Sequence, residues 1–355
     1  MAKYLNTNPT GMKAIKIAGL SICTALLSAS AFAQQVSVVP SPSQKKVDIK
    51  IDGKLFTSFL YPDTLEKPVL YPLRTADGLV VTRSFPLDKR EGDPTDHPHH
   101  IGLWFNFENL NGLDFWNNSY AIPASRKNQY GWIRTDKIIK TQSGKTGVLE
   151  YHANWTSQAK EVILEEITRF EFSGTANQRI IDRSTTLKAV QNATFRDAKD
   201  GLLGLRVAHE LQMPTNEDQK FTDDKGIETV VKGGTDKIAG GNYLTSEGKT
   251  GDTAWSTRAA WCKMFGRIGT DSVSVSIIDH PKNVNYPTFW HARGYGLFAA
   301  NPLGEKVFTN GKSEKKLALK KGESVKFKYR VVISNGNKTL SPAQLNALAA
   351  GFAKK

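Results

Sequence analysis

Apolar and polar residues alternate with a period of two along much of the chain. Residues 47–51 alternate strictly, and Asp52-Gly53, which follows, is a pair typical of hairpin turns. The same alternation returns at 148–155 and at 325–333. Successive side chains of a β-strand point to opposite faces, so this pattern predicts strands with one buried face each.

The spacing of these segments predicts an all-β chain. The strand-like runs follow one another at intervals of about ten residues and are separated by Gly, Asn and Asp, as in sandwiches and barrels. We therefore expect a large antiparallel β-sandwich. Helical periodicity is clear only in the tail, where Ser341 can cap, Pro342 suits the first turn, and Leu345, Leu348 and Phe352 share a face.

No linker divides the chain from residue 34 to residue 355, so we expect one β-sandwich domain over 34–355. A length of about 320 residues is sufficient for one large core. The glycine-rich segment 232–252 is the main irregular stretch. It predicts either a long surface loop or a lid over a site.

Residues 1–33 have the features of a cleaved signal peptide. Lys13 and Lys16 precede an uncharged apolar stretch, and "AFA" at 31–33 matches a small-x-small cleavage pattern. We therefore expect cleavage near Ala33-Gln34, a periplasmic or secreted protein, and no membrane span afterwards.

Two alternatives for the N-terminus are weaker. The apolar run is short for a retained membrane anchor, and Ile22 is an unfavourable residue before a lipidated Cys23. Removal of residues 1–33 leaves Cys262 as the only cysteine, which cannot form an intramolecular disulfide.

The chain is basic, with 48 Lys and Arg against 34 Asp and Glu. Removing the three lysines of residues 1–33 leaves 45 against 34, a net charge of +11. These charges are scattered, and no basic run alternates with aromatic residues. The pattern favours a solvated basic surface or attraction to acidic polymers, and not a nucleic-acid partner.

The segment "DHPHHIGLWF" (Asp96 to Phe105) carries the most specific chemistry. Three histidines and an aspartate lie within five residues immediately before an apolar strand. Imidazole changes its charge near neutral pH, which suits proton transfer, and it also ligates metals. Desolvating such a cluster without a purpose would be costly, which favours a functional role.

Geometry within this segment is predicted from Pro98 and from alternation. Pro98 predicts extended geometry at His97. Alternation puts His99 on the apolar side and His100 on the Trp104 side. The three imidazoles are therefore not expected to converge from this segment alone, and a divalent metal would need a ligand from elsewhere.

Several longer motifs resemble those of a known family. "DHPHHIGLWFNFENLNGLDFWNN" is similar to the signature block of the PmoA-like family of secreted bacterial proteins, named for methane oxygenase. "YPLRTADGLVVTRSFP", "DAKDGLLGLRVAHEL" and "DHPKNVNYPTFWHARGYGLFAANPLG" support it in the same order. The resemblance covers nearly all of the chain after residue 33.

A second resemblance concerns architecture. "LALKKGESVKFKYRVVISNG" is similar to the closing strand of galactose-mutarotase-like super-sandwiches. That resemblance implies a sugar cleft on one sheet, lined by His, Arg, aromatic and acidic side chains. It would bring the DHPHH segment and "YPTFWHARG" to one concave face.

The leading hypothesis is an exported enzyme that acts on a carbohydrate or sugar derivative by histidine acid–base chemistry. Mutarotase-, lyase- and hydrolase-like reactions all need a positioned acid and base, so all three stay open. The candidates for proton transfer or metal ligation are His97, His99, His100 and His209. The candidates for substrate binding are Arg83, Asp96, Asp114, His291 and Arg293, with stacking faces on Trp104, Trp116 and Trp290.

Two alternatives use the same residues. One is a non-catalytic carbohydrate-binding protein that relies on the aromatic faces. The other is a metal-dependent oxygenase, as the name of the PmoA-like family implies, which would need bound iron or copper.

Overall fold

The protein is described here from a computed structural model. It describes residues 1, 4–5, 34–90, 92–222, 228–232 and 234–355. The predicted signal peptide lies outside the described residues except at positions 1, 4 and 5. Residues 34–355 form one compact unit.

One large sheet contains eight antiparallel strands. They come from the first third of the chain and from its later half, so that residues distant in sequence meet on one face. Their spatial order is β1 (Val36–Ser41), β2 (Lys46–Ile51), β3 (Lys54–Leu60), β4 (Val69–Tyr71), β5 (Leu103–Phe107), β11 (Gly201–Arg206), β18 (Leu297–Asn301) and β17 (Phe289–Ala292). We call it the first sheet.

A second sheet of eight antiparallel strands packs against the first. Its spatial order is β14 (Asn242–Thr245), β15 (Trp261–Ile268), β16 (Asp271–Asp279), β20 (Ser324–Gly336), β9 (Gln178–Ala189), β8 (Val162–Thr175), β7 (Gly147–Thr156) and β6 (Trp132–Gln142). The predicted strands 47–51, 148–155 and 325–333 lie within β2, β7 and β20. The predicted antiparallel β-sandwich is confirmed.

Short elements complete the fold. Two small sheets pair β10 (Ala193–Phe195) with β19 (Leu317–Leu319) and β12 (Gln219–Thr222) with β13 (Glu228–Val231). The helices are α1 (Glu305–Phe308) and α2 (Pro342–Phe352). Single 3-10 turns span Pro42–Gln44, Ala124–Gln129, His209–Leu211 and Gly251–Ala254. None of the helices in the described part of the chain combines the length and apolar character needed to cross a bilayer.

Local signals explain two of these elements. Asp52 and Gly53 have φ of 51° and 77°, the left-handed geometry that a tight hairpin between β2 and β3 needs. Helix α2 begins with a capping box, in which Ser341 Oγ accepts a hydrogen bond from the backbone N–H of Gln344 at 3.3 Å. Leu345, Leu348 and Phe352, which were predicted to share a face of α2, pack in one cluster on the outer face of the second sheet.

The glycine-rich segment 232–252 differs from the prediction. It contains the edge strand β14 and the start of the 3-10 turn Gly251–Ala254, so it is not one continuous loop. Residues 234–241 and 246–250 form its irregular parts among the described residues. The lid hypothesis stays a prediction.

The space between the sheets holds an apolar core with an ion pair inside it. Glu166 accepts hydrogen bonds from Tyr151 Oη, Trp155 Nε1 and Arg183 Nη2, at 2.7, 2.7 and 2.8 Å. Arg183 belongs to the second sheet, and its guanidinium lies 4.6 Å from the ring centre of Phe105 in the first. The ion pair itself lies within the second sheet, and it meets the first sheet through this cation–π contact.

Replacing Arg183 by Met is expected to destabilise the fold by about 3–5 kcal/mol, because Glu166 would keep a buried charge without its cation. The free energy of unfolding in guanidinium chloride measures this. Lys188→Met is the matched control, since Lys188 pairs with Glu165 at 3.8 Å on the surface and its loss should cost less than about 1 kcal/mol. Equal losses in the two variants would contradict a special role for the buried pair.

Candidate functional site

The three histidines lie in the turn that leads into β5, which we call the DHPHH turn (residues 96–100). Their ring centres are 5.6 Å apart for His97 and His99, 4.8 Å for His97 and His100, and 4.3 Å for His99 and His100. The prediction that they do not converge is wrong. His97 has a φ of 47°, so it is left-handed and not extended, and strand alternation does not apply across it.

Left-handed geometry at a histidine is unfavourable and has to be held by the surroundings. Such a residue costs on the order of 1–2 kcal/mol. Here the carbonyl of His97 accepts hydrogen bonds from the backbone N–H of His100 at 2.9 Å and from Arg83 Nη2 at 2.9 Å. The carbonyl of His99 accepts one from Lys67 Nζ at 2.8 Å.

Two buried arginines fix the carboxylate of Asp96. Its Oδ1 atom accepts hydrogen bonds from Arg83 Nη1 at 2.9 Å and from Arg206 Nη2 at 2.7 Å. Arg83 also donates to the carbonyls of Pro94 and His100, at 3.3 and 3.0 Å. The Arg83 side chain is fully enclosed and its hydrogen bonds shape the turn; its role in substrate binding stays a prediction.

Asp96 in turn orients His97. Its Oδ2 atom makes a close contact with His97 Nδ1. Burial alone would raise the pKa of Asp96, but Arg206, His97 and Arg83 outweigh it and hold that pKa well below its usual range. Asp96 is therefore anionic, and the neutral tautomer of His97 that it favours carries its proton on Nδ1 and leaves Nε2 as a free base.

Four near-parallel rings line up from the surface inwards. His97 lies 5.2 Å from Tyr295 at an interplanar angle of 4°, and 4.8 Å from His100 at 0°. His100 lies 5.3 Å from Trp104 at 16°. His100 Nδ1 lies 3.3 Å from Arg206 Nη1, a donor, so its proton is on Nε2. Burial and nearby cationic groups lower the pKa of His100 well below its usual value.

The floor beneath the turn is one row of the first sheet. Trp104 pairs with Gly204, Gly204 with Ala299, and Ala299 with His291, so all four face the same side. A Cβ on Gly204 would lie 2.5 Å from the Trp104 ring and 2.7 Å from Trp116. Glycine is therefore required for the two indoles to approach the sheet this closely.

The tryptophans do not offer stacking faces. Trp104 and Trp116 are fully buried beneath His100, and Trp290 packs between the two sheets with its Nε1 donating to the Ala259 carbonyl at 3.0 Å. None of the three rings has an exposed face in this structure, and their stacking on a ligand stays a prediction. Trp104 and Trp116 support the histidines, and Trp290 belongs to the core.

An open pocket of about 360 Å³ lies beside the turn. His97 is the accessible histidine of the three, with 42 % of its side chain exposed. Burial, only partly offset by Arg206 and Arg293, raises the pKa of Tyr295 to about 12, so its phenol keeps its proton at neutral pH. The polar and charged groups that line the pocket include Asp96, His97, Arg206, Glu217, Asp252 and Tyr295.

A second histidine–aspartate pair lies on the same sheet face. His291 is buried, and its Nδ1 lies 3.3 Å from Asp200 Oδ1. Its Nε2 accepts a hydrogen bond from Arg293 Nε at 3.3 Å, and the Arg293 guanidinium stacks 3.6 Å from the ring centre of Trp255. His291 and Arg293 therefore share contacts with each other, outside the lining of the 360 Å³ pocket.

His209 and Asp114 have other tasks. His209 Nδ1 lies 2.6 Å from the Gly92 carbonyl and its Nε2 lies 2.7 Å from Asp236 Oδ2. Both ring nitrogens are thus engaged within the protein, and a catalytic role of His209 stays a prediction. Asp114 accepts hydrogen bonds from the backbone N–H groups of Trp116 and Asn117, each at 2.9 Å, so it caps a turn.

The side chains of this site do not form a metal cage. No group of three or more His, Cys, Asp or Glu side chains in the described ranges has metal-binding geometry. His97 Nδ1 is taken by Asp96, and His100 Nδ1 faces the guanidinium of Arg206. A cationic neighbour at that nitrogen opposes a bound cation.

Two important residues were missed from the sequence. Arg206 is the single charged residue of "LLGLRVA", and a charge inside such an apolar strand is a signal that it pairs with something buried. Tyr295 lies in the turn between β17 and β18, where the sequence offers no comparable signal. Its role depends on the approach of that turn to His97.

The comparisons with known proteins give a family. A model described as a family of unknown function (DUF6807) matches residues 46–350. A comparison with curated proteins finds no match.

Among solved structures, two galactose mutarotase-like proteins are similar to this chain. The one from Lactobacillus casei ATCC 334 has 9 % identity and a TM-score of 0.34, and the similarity covers 85 % of this chain and 100 % of that one. The one from Clostridium acetobutylicum has 10 % identity, a TM-score of 0.35, and coverage of 85 % and 98 %.

A beta-arabinopyranosidase structure is also similar, at 13 % identity and a TM-score of 0.29. The similarity covers 86 % of this chain and only 38 % of that one. This chain therefore spans well under half the length of that enzyme.

The buried histidines make stability depend on pH. Burial lowers the pKa of His99, His100 and His291 well below 6.5, the usual value for histidine. The unfolded chain takes up protons below pH 6.5 that the folded chain excludes, so this contribution to stability is complete above pH 6.5 and declines as the pH falls. Burial raises the pKa of Asp200 and Asp279 to about 7, which acts in the opposite direction between about pH 4 and pH 7.

Substitution of one buried histidine separates the contribution of the histidines to this pH dependence from that of the two carboxyls. We expect His99→Asn to reduce the fall in unfolding free energy below pH 6.5 by up to about 1.4 kcal/mol per pH unit, relative to wild type. Denaturant unfolding between pH 5 and pH 8 measures the difference, and the two carboxyls cancel in the comparison. Identical pH dependence in the variant and wild type would show that His99 is not held neutral.

Proposed function

The chain belongs to a family of unknown function (DUF6807), and we propose that it is an enzyme that moves protons on a neutral carbohydrate or sugar derivative, with His97 as the base. One observation carries this proposal. The exposed histidine beside a pocket has its Nδ1 engaged by a carboxylate that two buried arginines keep anionic. A histidine held in this way can present Nε2 as a base.

Tyr295 supplies the complementary group. Its ring lies parallel to His97 and its phenol stays protonated because its pKa is raised to about 12. In the proposed step, His97 Nε2 takes a proton from a substrate hydroxyl or an activated C–H, and the phenol of Tyr295 donates a hydrogen bond to the oxygen that gains charge. Mutarotase-, lyase- and hydrolase-like reactions share this step.

Charge in the pocket supports a neutral substrate. Four of the lining side chains are carboxylates (Asp96, Glu217, Asp218 and Asp252), against one guanidinium, Arg206. That guanidinium is already paired with Asp96. An anionic substrate would meet more negative than positive charge, whereas hydroxyl groups can use both the donors and the acceptors.

The geometry of the site supports the two alternative functions less well. A binding protein that relies on Trp104, Trp116 and Trp290 would need indole faces that are here buried. A metal-dependent oxygenase, implied by the resemblance to the PmoA-like family, would find two of the imidazole nitrogens of the turn, His97 Nδ1 and His100 Nδ1, already engaged by Asp96 and Arg206. The proton-transfer hypothesis uses the one ring that is exposed.

Turnover is expected in a screen that detects any of the three reactions. A panel of neutral mono- and oligosaccharides in deuterium oxide, followed by proton NMR, reports anomer interconversion, exchange at carbon, elimination and hydrolysis. His97→Gln and Tyr295→Phe should each lower the rate by about 10²–10⁴-fold at unchanged folding, because each removes a proton-transfer partner. Asp96→Asn should lower kcat more than it raises KM, since it disturbs the orientation of His97.

His152→Gln is the matched control, because His152 lies on β7 of the second sheet and pairs with Asp136. It should retain the wild-type rate. If the wild type turns over a sugar and His97→Gln does so equally fast, the assignment of the base is wrong. If no member of the panel reacts, the enzyme hypothesis itself is contradicted.

We also propose that the protein acts outside the cytoplasm. The support is the sequence of residues 1–33, with its lysines, apolar stretch and "AFA" pattern. Expression in a Gram-negative host should yield a mature protein that begins at Gln34, as read by intact-mass measurement of the periplasmic fraction. A protein of full mass in the cytoplasm would contradict export.

A further inference from the structure

A second groove lies away from the DHPHH turn, on the second sheet. It has a volume of about 420 Å³ and is formed by β6, β7 and the turn that follows β7. β6 is the last strand of its sheet, so this surface lies at an edge of the sandwich. The proposed reaction uses none of its residues.

Alternation along β6 and β7 gives the groove its floor. Ile133 and Trp155 point into the core and are buried. Their neighbours therefore point outwards, with Trp132 opposite Thr156 and Arg134 opposite Asn154 on successive rungs of the same face. An indole, a guanidinium, an amide and a hydroxyl thus share one surface.

The indole of Trp132 is held in place and yet half-exposed. Lys127 Nζ lies 5.7 Å from the centre of its ring, and this ammonium is itself fixed by Asn118 Oδ1 at 3.0 Å and by the Ser119 carbonyl at 2.7 Å. The indole Nε1 forms no hydrogen bond with another described residue. A rigid aromatic ring with a free donor suits the apolar face of a sugar and one of its hydroxyls.

The polar groups around the indole match the same ligand. Asn154, Thr156, Ser157 and Gln158 line the groove and offer both donors and acceptors. The charged lining residues are Arg134 and Lys160, and none of the eight lining residues, all of which the structure describes, carries a carboxylate. This contrasts with the carboxylate-rich pocket at His97.

The two cationic side chains differ in how firmly neighbouring groups hold them. Arg134 donates through Nη1 to the Leu65 carbonyl, which fixes its guanidinium, and Glu66 and Asp63 act on it at longer range. Lys160 is exposed and forms no ion pair with a described residue. Its ammonium is therefore the positive charge most available to a ligand.

We propose that this groove binds an acidic oligosaccharide, with a pyranose ring on Trp132 and a ring carboxylate paired with Lys160. The site is independent of the proposed proton transfer, because it lies on the other sheet and shares no residue with the His97 pocket. It would hold a polymer chain by a charged unit while a neutral unit is processed elsewhere.

Isothermal titration calorimetry with a uronic-acid octasaccharide tests the site. We expect binding at low salt that is weakened at least fivefold in about 1 M salt, and weakened by a similar factor for the methyl-esterified octasaccharide, which has the same skeleton without charge. Trp132→Ala should lower affinity about tenfold, as expected for an aromatic anchor. His97→Gln should bind as wild type does, which separates this site from the proposed reaction.

A charge reversal gives a second test if Trp132→Ala fails to fold. Lys160→Glu should lower affinity for the acidic octasaccharide at least fivefold and leave the weak binding of the ester unchanged. Lys145→Glu is the matched control, since Lys145 is an exposed lysine in the turn at the other end of the β6–β7 hairpin, and it should bind as wild type does. Equal affinity for acid and ester, or equal losses in both lysine variants, would overturn the proposal.

Discussion

The carboxylate of Asp96 is the group on which the geometry of the site depends. Two arginines that are almost wholly enclosed converge on one of its oxygens. Burying a guanidinium without a counter-charge costs several kcal/mol, so these arginines are compatible with folding only if Asp96 stays where it is. The same carboxylate fixes His97 through its other oxygen, so the stability of the turn and the proposed chemistry depend on one side chain.

Small residues of the first sheet leave space for the aromatic rings that lie beneath this ionic cluster. Gly204 and Ala299 leave room on the first sheet for Trp104 and Trp116, and the indoles carry His100. The apolar layer in turn keeps His100 neutral, since water cannot reach the ring to solvate a charge. Of the three histidines of the turn, His97 is the one with a large exposed fraction. Exposure therefore increases along the row of rings, from the buried indole of Trp104 through His100 to His97.

Strands and caps were predictable from the sequence, and the site was predictable only in part. Period-two alternation located β2, β7 and β20, and Ser341 with Pro342 located the start of α2, because these signals are local. The left-handed His97 was not predictable, since hydrogen bonds from Arg83 and Lys67, which are distant in the chain, override the preference set by Pro98. Burial of Trp290 depended on which face of β17 meets the other sheet. Arg206 and Tyr295 became part of the site only through contacts distant in the chain.

The buried ion pair of Glu166 and Arg183 limits which substitutions the core can accept. Glu166 satisfies Tyr151, Trp155 and Arg183 at once, so no single replacement gives an apolar interior without stranding a polar atom. A route from this core to a wholly hydrophobic one would pass through intermediates less stable than either end. Recombination with related sandwiches should therefore exchange β7, β8 and β9 as one block, because the three strands carry a single shared polar unit.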